Sequence, residues 1–136
     1  MMASAQIQEF QLKSELESLI QVEQIVEDLR LNYSIPEELY GNILVAVTEA
    51  TNNAIKHGNK LDSSKNVFLA FENSELEFQF TIKDEGLGFN PDTIPDPTLE
   101  ENITKPDGRG IFIIKNLSDN LEFNDEGREI RMTFKR

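Results

Sequence analysis

The chain contains no cysteine, a single histidine, and 13 basic residues against 25 acidic ones. Without thiols there can be no disulfide, no thiolate metal site and no cysteine nucleophile, and the absence fits a reducing interior. A formal charge of −12 lacks the basic footprint that nucleic acid or an anionic membrane requires, so neither is expected as a direct partner, and a basic or neutral protein is favoured instead. Apolar runs such as Ile111-Phe112-Ile113-Ile114 fall far short of the roughly 20 residues that span a bilayer. The opening Met1-Met2-Ala3-Ser4-Ala5-Gln6 has neither the basic region nor the apolar run of a signal peptide, so a cytoplasmic protein is expected. Two sets of motifs are also missing: the G-x-x-x-x-G-K-[ST] phosphate loop, and the H-R-D and D-F-G pair of protein kinases.

What is present reads as one domain over residues 1–136, since 136 residues bury a single two-layer core. Phe10 and Leu12 alternate within a first strand at 6–12, and Leu16, Leu19, Ile20, Val22, Ile25, Val26 and Leu29 recur at helical spacing over 14–31. Pro36-Glu37-Glu38 opens a second helix, with Ser34 or Ile35 leading in and Gly58 as its stop. Its core face is Leu39, Ile43, Val47, Ala50 and Ala54; Asn42, Ala46, Glu49, Asn53 and His57 form a stripe offset by roughly a quarter turn, half buried and half wet.

Val67 to Glu72 and Leu76 to Lys83 form an antiparallel hairpin around Asn73-Ser74-Glu75. Residues 90–107 lose apolar periodicity and carry Pro91, Pro95, Pro97 and Pro106, which marks a long loop of the kind that is usually functional. A third helix at about 110–118 follows, then strands 120–124 and 129–135 around Asp125-Glu126-Gly127. This order implies an α+β two-layer sandwich, with a mostly antiparallel mixed sheet and helices on one face.

Three segments could carry chemistry. Glu49 and Asn53, at i and i+4, project from one side of a helix, where an amide oxygen suits Mg²⁺ and a carboxylate one turn away can take a proton from a hydroxyl. The pair also suits an ordinary wet helix face. Asp84-Glu85-Gly86-Leu87-Gly88 ends a strand and reads equally as a turn or as a carboxylate facing the exocyclic amine of adenine, with glycines permitting close approach. Gly108-Arg109-Gly110-Ile111 precedes an apolar helix, which makes it either a flexible joint or an anion site at a helix N-terminus, with the long loop as its lid. The lone His57 reads as a cap at a helix end.

Taken in order, Val45-Ala46-Val47-Thr48-Glu49-Ala50-Thr51-Asn52-Asn53-Ala54-Ile55-Lys56-His57-Gly58, then Asp84-Glu85-Gly86-Leu87-Gly88-Phe89, then Gly108-Arg109-Gly110-Ile111-Phe112-Ile113-Ile114 resemble the nucleotide-binding boxes of the GHKL ATPase superfamily. Within it the chain resembles the bacterial anti-sigma factor serine/threonine kinases over nearly its whole length. The resemblance implies the Bergerat ATP-binding sandwich, with ATP and Mg²⁺ as cofactors. It also implies Glu49 as general base, Asn53 as Mg²⁺ ligand and Asp84 at the adenine. Gly86 and Gly88 then lie beside the nucleotide, with Gly108, Arg109, Gly110 and Ile111 in the phosphate-side lid. The implied reaction phosphorylates a serine or threonine of a STAS-type antagonist, and the implied partners are that antagonist, a sigma factor and a second copy in a homodimer.

One position departs from the pattern. Where many members carry Gly-Thr before the final strand, this chain has Gly127-Arg128, so a threonine contact near the adenine is not carried over, and spacing does not place Thr81 or Thr133 as its substitute. Two other readings stay open: an ATP-responsive switch without catalysis, and an isolated histidine-kinase-like catalytic domain.

Overall fold

The computed structural model describes residues 6–86 and 106–136, with only the backbone for 106–109. Its order is β1 (Gln6–Lys13), α1 (Ser18–Tyr33), α2 (Glu37–Asn53), a π-helical turn (Ala54–Gly58), β2 (Asn66–Asn73), β3 (Glu77–Lys83), α3 (Pro106–Leu117), β4 (Asn120–Asn124) and β5 (Glu129–Lys135). The strands form one sheet in the order β1-β2-β3-β5-β4, and every pairing is antiparallel.

Alternation decides which face of the sheet is covered. Leu69, Phe71, Phe78, Phe80, Ile82, Met132 and Phe134 are fully or almost fully buried, while Gln79, Thr81 and Arg131 occupy the other face of the pleat. Against the apolar face lie Val22, Val26 and Leu29 of α1, Ile43, Val47 and Ala50 of α2, and Ile114 of α3. The helices therefore cover one face only, as the pattern of apolar residues requires.

Local differences from the sequence reading have local causes. Helix α1 starts at Ser18 rather than 14, because the Ser14 amide donates to the Lys65 carbonyl and the Ser18 hydroxyl to the Lys13 carbonyl. Its apolar stripe is also narrower, with Ile20 left 70% exposed. Ser34, at φ 54°, ends α1 in a left-handed cap rather than leading into α2. Leu76 falls in the β2–β3 turn and is 79% exposed. Helix α3 begins at Pro106, so Gly108 and Gly110 lie inside its first turns rather than ahead of it; Pro at the first helical position satisfies the local rule that the spacing of apolar residues missed.

Candidate nucleotide site

The second helix changes pitch at the centre of the site. After Asn53 the chain winds as a π turn closed by the Asn59 amide donating to the Ala54 carbonyl at 2.8 Å. One turn earlier the buried Thr51 hydroxyl donates to the Val47 carbonyl at 2.8 Å, a back-bond that bends helices. Single π turns are often found at functional sites. Here the wide turn carries Gly58 and Asn59 to the ends of β2 and β3.

Asn59 is 1% exposed and clamps that junction. Its Nδ2 donates to the Asn66 carbonyl at 2.9 Å, and its Oδ1 accepts from the Glu85 amide at 2.8 Å. Glu85 reaches back to accept from the Asn66 amide at 3.2 Å. Asp84, 8% exposed, accepts from the Gly86 amide at 2.8 Å through Oδ1. A Cβ on Gly86 would come within 2.6 Å of the Gly58 carbonyl carbon, and one on Gly58 would lie 2.8 Å from Asp84 Oδ1. Both positions demand bare backbone, so the corner is built from the Asp84 carboxylate and two glycines. Burial pushes the Asp84 carboxyl above its ordinary range, against the Gly86 hydrogen bond and the nearby positive charges of Arg128 and Lys65.

On the other side of the same helix end, α3 closes on Asn53. A Cβ on Gly110 would lie 2.8 Å from Asn53 Nδ2 and 3.1 Å from Oδ1. Glu49 is half-buried one turn before Asn53, about 6 Å along the axis. Among the described residues neither side chain takes part in a hydrogen bond or ion pair, so their oxygens stay available to a ligand. The stripe expected from the sequence is thus half-buried at Glu49 and Asn53, exposed at Asn42 and His57, and fully buried at Ala46.

The first segment therefore meets the second through Gly58 and the third through Asn53. Ile111 is half-buried and packs against the core. Gly88, with Leu87, Phe89 and the 90–105 part of the long loop, lies outside the described residues, and Gly108 and Arg109 are described only as helical backbone. Sequence reasoning missed Asn59 and Arg128. The signal at Asn59 is its place directly after the helix stop, and that at Arg128 is its departure from the family pattern. Its Nε donates to the Gly86 carbonyl at 2.8 Å. Thr81 and Thr133 cannot take over an adenine contact: they face the uncovered side of the sheet, and Thr133 accepts from Gln79 there at 3.3 Å. A groove of about 500 Å³ lined by Glu9, Phe68, Thr81, Lys83 and Glu129 also lies beside β1, β2 and β3, away from Asn53. Among the described residues no helix is long and apolar enough to cross a membrane.

Comparison with known proteins agrees with this layout. Residues 12–134 match the histidine kinase-like ATPase domain family. The anti-sigma F factor of Clostridium perfringens (strain 13 / Type A) is 34% identical over 134 residues, covering 91% of each chain. The anti-sigma F factor of Bacillus thuringiensis (strain Al Hakam) is 35% identical over 85 residues, 59% of this chain and 56% of that protein. The crystal structure of the RsbU and RsbW domains of Rv1364c from Mycobacterium tuberculosis aligns with a TM-score of 0.67 over 96% of this chain at 13% identity. This chain spans 32% of that protein, and the likeness bears on fold alone. With an ATPase-family match over almost its whole length and relatives above 30% identity, the chain belongs to the histidine kinase-like (GHKL) ATPase family, in the anti-sigma factor kinase group.

Proposed function

We propose that the chain, acting as one GHKL domain over residues 1–136, binds Mg-ATP and phosphorylates a serine or threonine of a STAS-type antagonist, and that it also sequesters a sigma factor. The observation that carries this reading is that one helix end meets the Asp84 corner through Gly58 and Gly110 through Asn53, with Glu49 one turn before Asn53.

Asp84 accepts a hydrogen bond from the adenine amine, and the bare backbone at Gly86 lets the base approach. Gly110 and the first-turn amides of α3 face the phosphates, with Gly108, Arg109 and Ile111 on that side, while the family resemblance alone assigns Gly88 to the nucleotide beside Gly86. The donors present suit Mg²⁺ that arrives on a nucleotide. Among the described residues no cluster of three or more acidic or histidine side chains could hold an ion, whereas Asn53 offers one neutral amide oxygen with no other partner. When bound, the ion neutralises charge on the phosphate oxygens. Glu49 takes the proton of the acceptor hydroxyl while the hydroxyl oxygen bonds to the γ-phosphorus; the bond from that phosphorus to the bridging oxygen breaks and ADP leaves.

Sequestration of a sigma factor is supported by the relatives named anti-sigma F factors, and a homodimer and a cytoplasmic site of action accompany that reading. The test mixes purified protein, γ-labelled Mg-ATP and a STAS-type partner. Label on a partner serine or threonine is the expected result; a partner that stays unlabelled while nucleotide binds would leave a switch without catalysis.

A further inference from the structure

The corner before β5 is an expensive piece of backbone. Asp125 and Glu126 take left-handed φ values of 52° and 55°, followed by Gly127 at 84°. Consecutive non-glycine residues in that region persist only where their surroundings hold them. Lys83 Nζ lies 3.2 Å from Asp125 Oδ2, and the Arg128 amide and Nη1 both donate to the Asp125 carbonyl, at 3.1 and 3.2 Å.

The corner is held so as to aim one side chain. Arg128 Nε donates to the Gly86 carbonyl at 2.8 Å, and the Arg128 carbonyl accepts from the Asp84 amide at 3.0 Å. The Gly86 amide is already given to Asp84 Oδ1, so both polar groups of Gly86 are fixed, one by the carboxylate and one by the guanidinium. Asp84 Oδ1 is thereby taken up by the turn, and among the described residues Oδ2 accepts no hydrogen bond. A side chain as short as threonine could not hold Asp125 and Gly86 together from this position; the planar fork of arginine can.

We infer that Arg128 is a positioning residue that latches the Asp84-Glu85-Gly86 turn in its base-recognising shape before any nucleotide arrives, an inference that rests on the nucleotide reading above. It makes base selectivity in this chain depend on a residue that does not itself touch the base.

The test uses the full chain and four proteins: wild type, R128A, R128K and E126A. Two readouts are taken. The first is hydrogen exchange of the Gly86 amide without nucleotide; the second is affinity for Mg-ATP against Mg-ITP, which lacks the exocyclic amine. For R128A, exchange should rise about tenfold, and ATP affinity should fall about tenfold with ITP nearly unchanged, so that discrimination collapses. R128K keeps the charge but not the fork and should fall between. E126A removes only the exposed ion pair to Arg128 and should match wild type in both readouts. Should R128A not fold, R128K decides, with exchange at least about threefold above wild type expected. Wild-type exchange in the Arg128 variants, or faster exchange with an unchanged ATP to ITP ratio, would overturn the inference. A wild-type protein that binds neither nucleotide defeats the nucleotide reading instead, while Gly86 exchange still decides the latch.

Discussion

The two sides of the α2 terminus are built on opposite principles. At the Asp84 corner, polar groups are paired: Asn59, Glu85 and Arg128 each tie the turn to another element, and Asp84 bonds the amide of Gly86. At Glu49 and Asn53, among the described residues, no side-chain oxygen is paired and a glycine forms the facing wall. A base needs a rigid, prepaid contour, because discrimination comes from where donors and acceptors are held. A reacting phosphate needs open oxygens that engage only when ligand and acceptor are in place. The division also has a thermodynamic side, since the buried Asp84 carboxylate works against stability whereas Glu49 sits at a half-wet rim.

Substitutions can separate the two sides. The largest effect is expected for Glu49→Gln, which keeps shape and removes the proposed base: transfer to the acceptor should fall by about 10² to 10⁴, with ATP affinity within about twofold of wild type. Single-turnover phosphorylation alongside equilibrium binding checks this, and transfer at the wild-type rate would remove Glu49 from the chemistry. Next comes Gly86→Ala. Its Cβ would meet the Gly58 carbonyl carbon at 2.6 Å, backbone that cannot swing aside, so ATP affinity should drop about tenfold or more in a titration, with the acceptor still recognised.

Asn59→Ala strands the Asn66 carbonyl and the Glu85 amide and should cost about 2 kcal/mol in urea unfolding. The smallest effect has the opposite sign. Because burial holds the Asp84 carboxyl above its ordinary value of 3.8, the native state binds that proton more tightly than the unfolded chain. Stability is therefore lost as pH rises from the unfolded value through the raised native one. Asp84→Asn should melt roughly 2 °C or more above wild type at pH 7, lose that advantage below the unfolded value, and bind ATP poorly at either pH. A melting temperature below wild type at pH 7 would show that the carboxylate is satisfied rather than strained.

Much of this layout could be read directly from residues. Period-two alternation at Phe78, Phe80 and Ile82 and at Ile130, Met132 and Phe134 gave two strands and their inner face, and a 3.6-residue period gave α2, because burial writes itself into spacing. The Glu49 and Asn53 stripe followed from the same geometry. Less legible was whatever depends on pairs far apart in the chain. Nothing around Asn59 announces that it will meet Asn66 and Glu85, since asparagine after a helix stop is ordinary turn chemistry. Arg128 stood out only against the family pattern, and its bond to Gly86 spans 42 positions. The start of α3 is not legible in the spacing because apolar periodicity begins at Ile111, whereas helical backbone begins at Pro106.

The most direct test of the account is to titrate Mg-ATP into the isotope-labelled protein and follow each backbone amide. The arrangement predicts that the largest shifts fall together on Asn53, Gly58, Asn59, Gly86 and Gly110, the residues that join the two sides of the α2 terminus. Shifts confined instead to Phe68, Thr81 and Lys83 beside the outer groove, with that set unmoved, would contradict it.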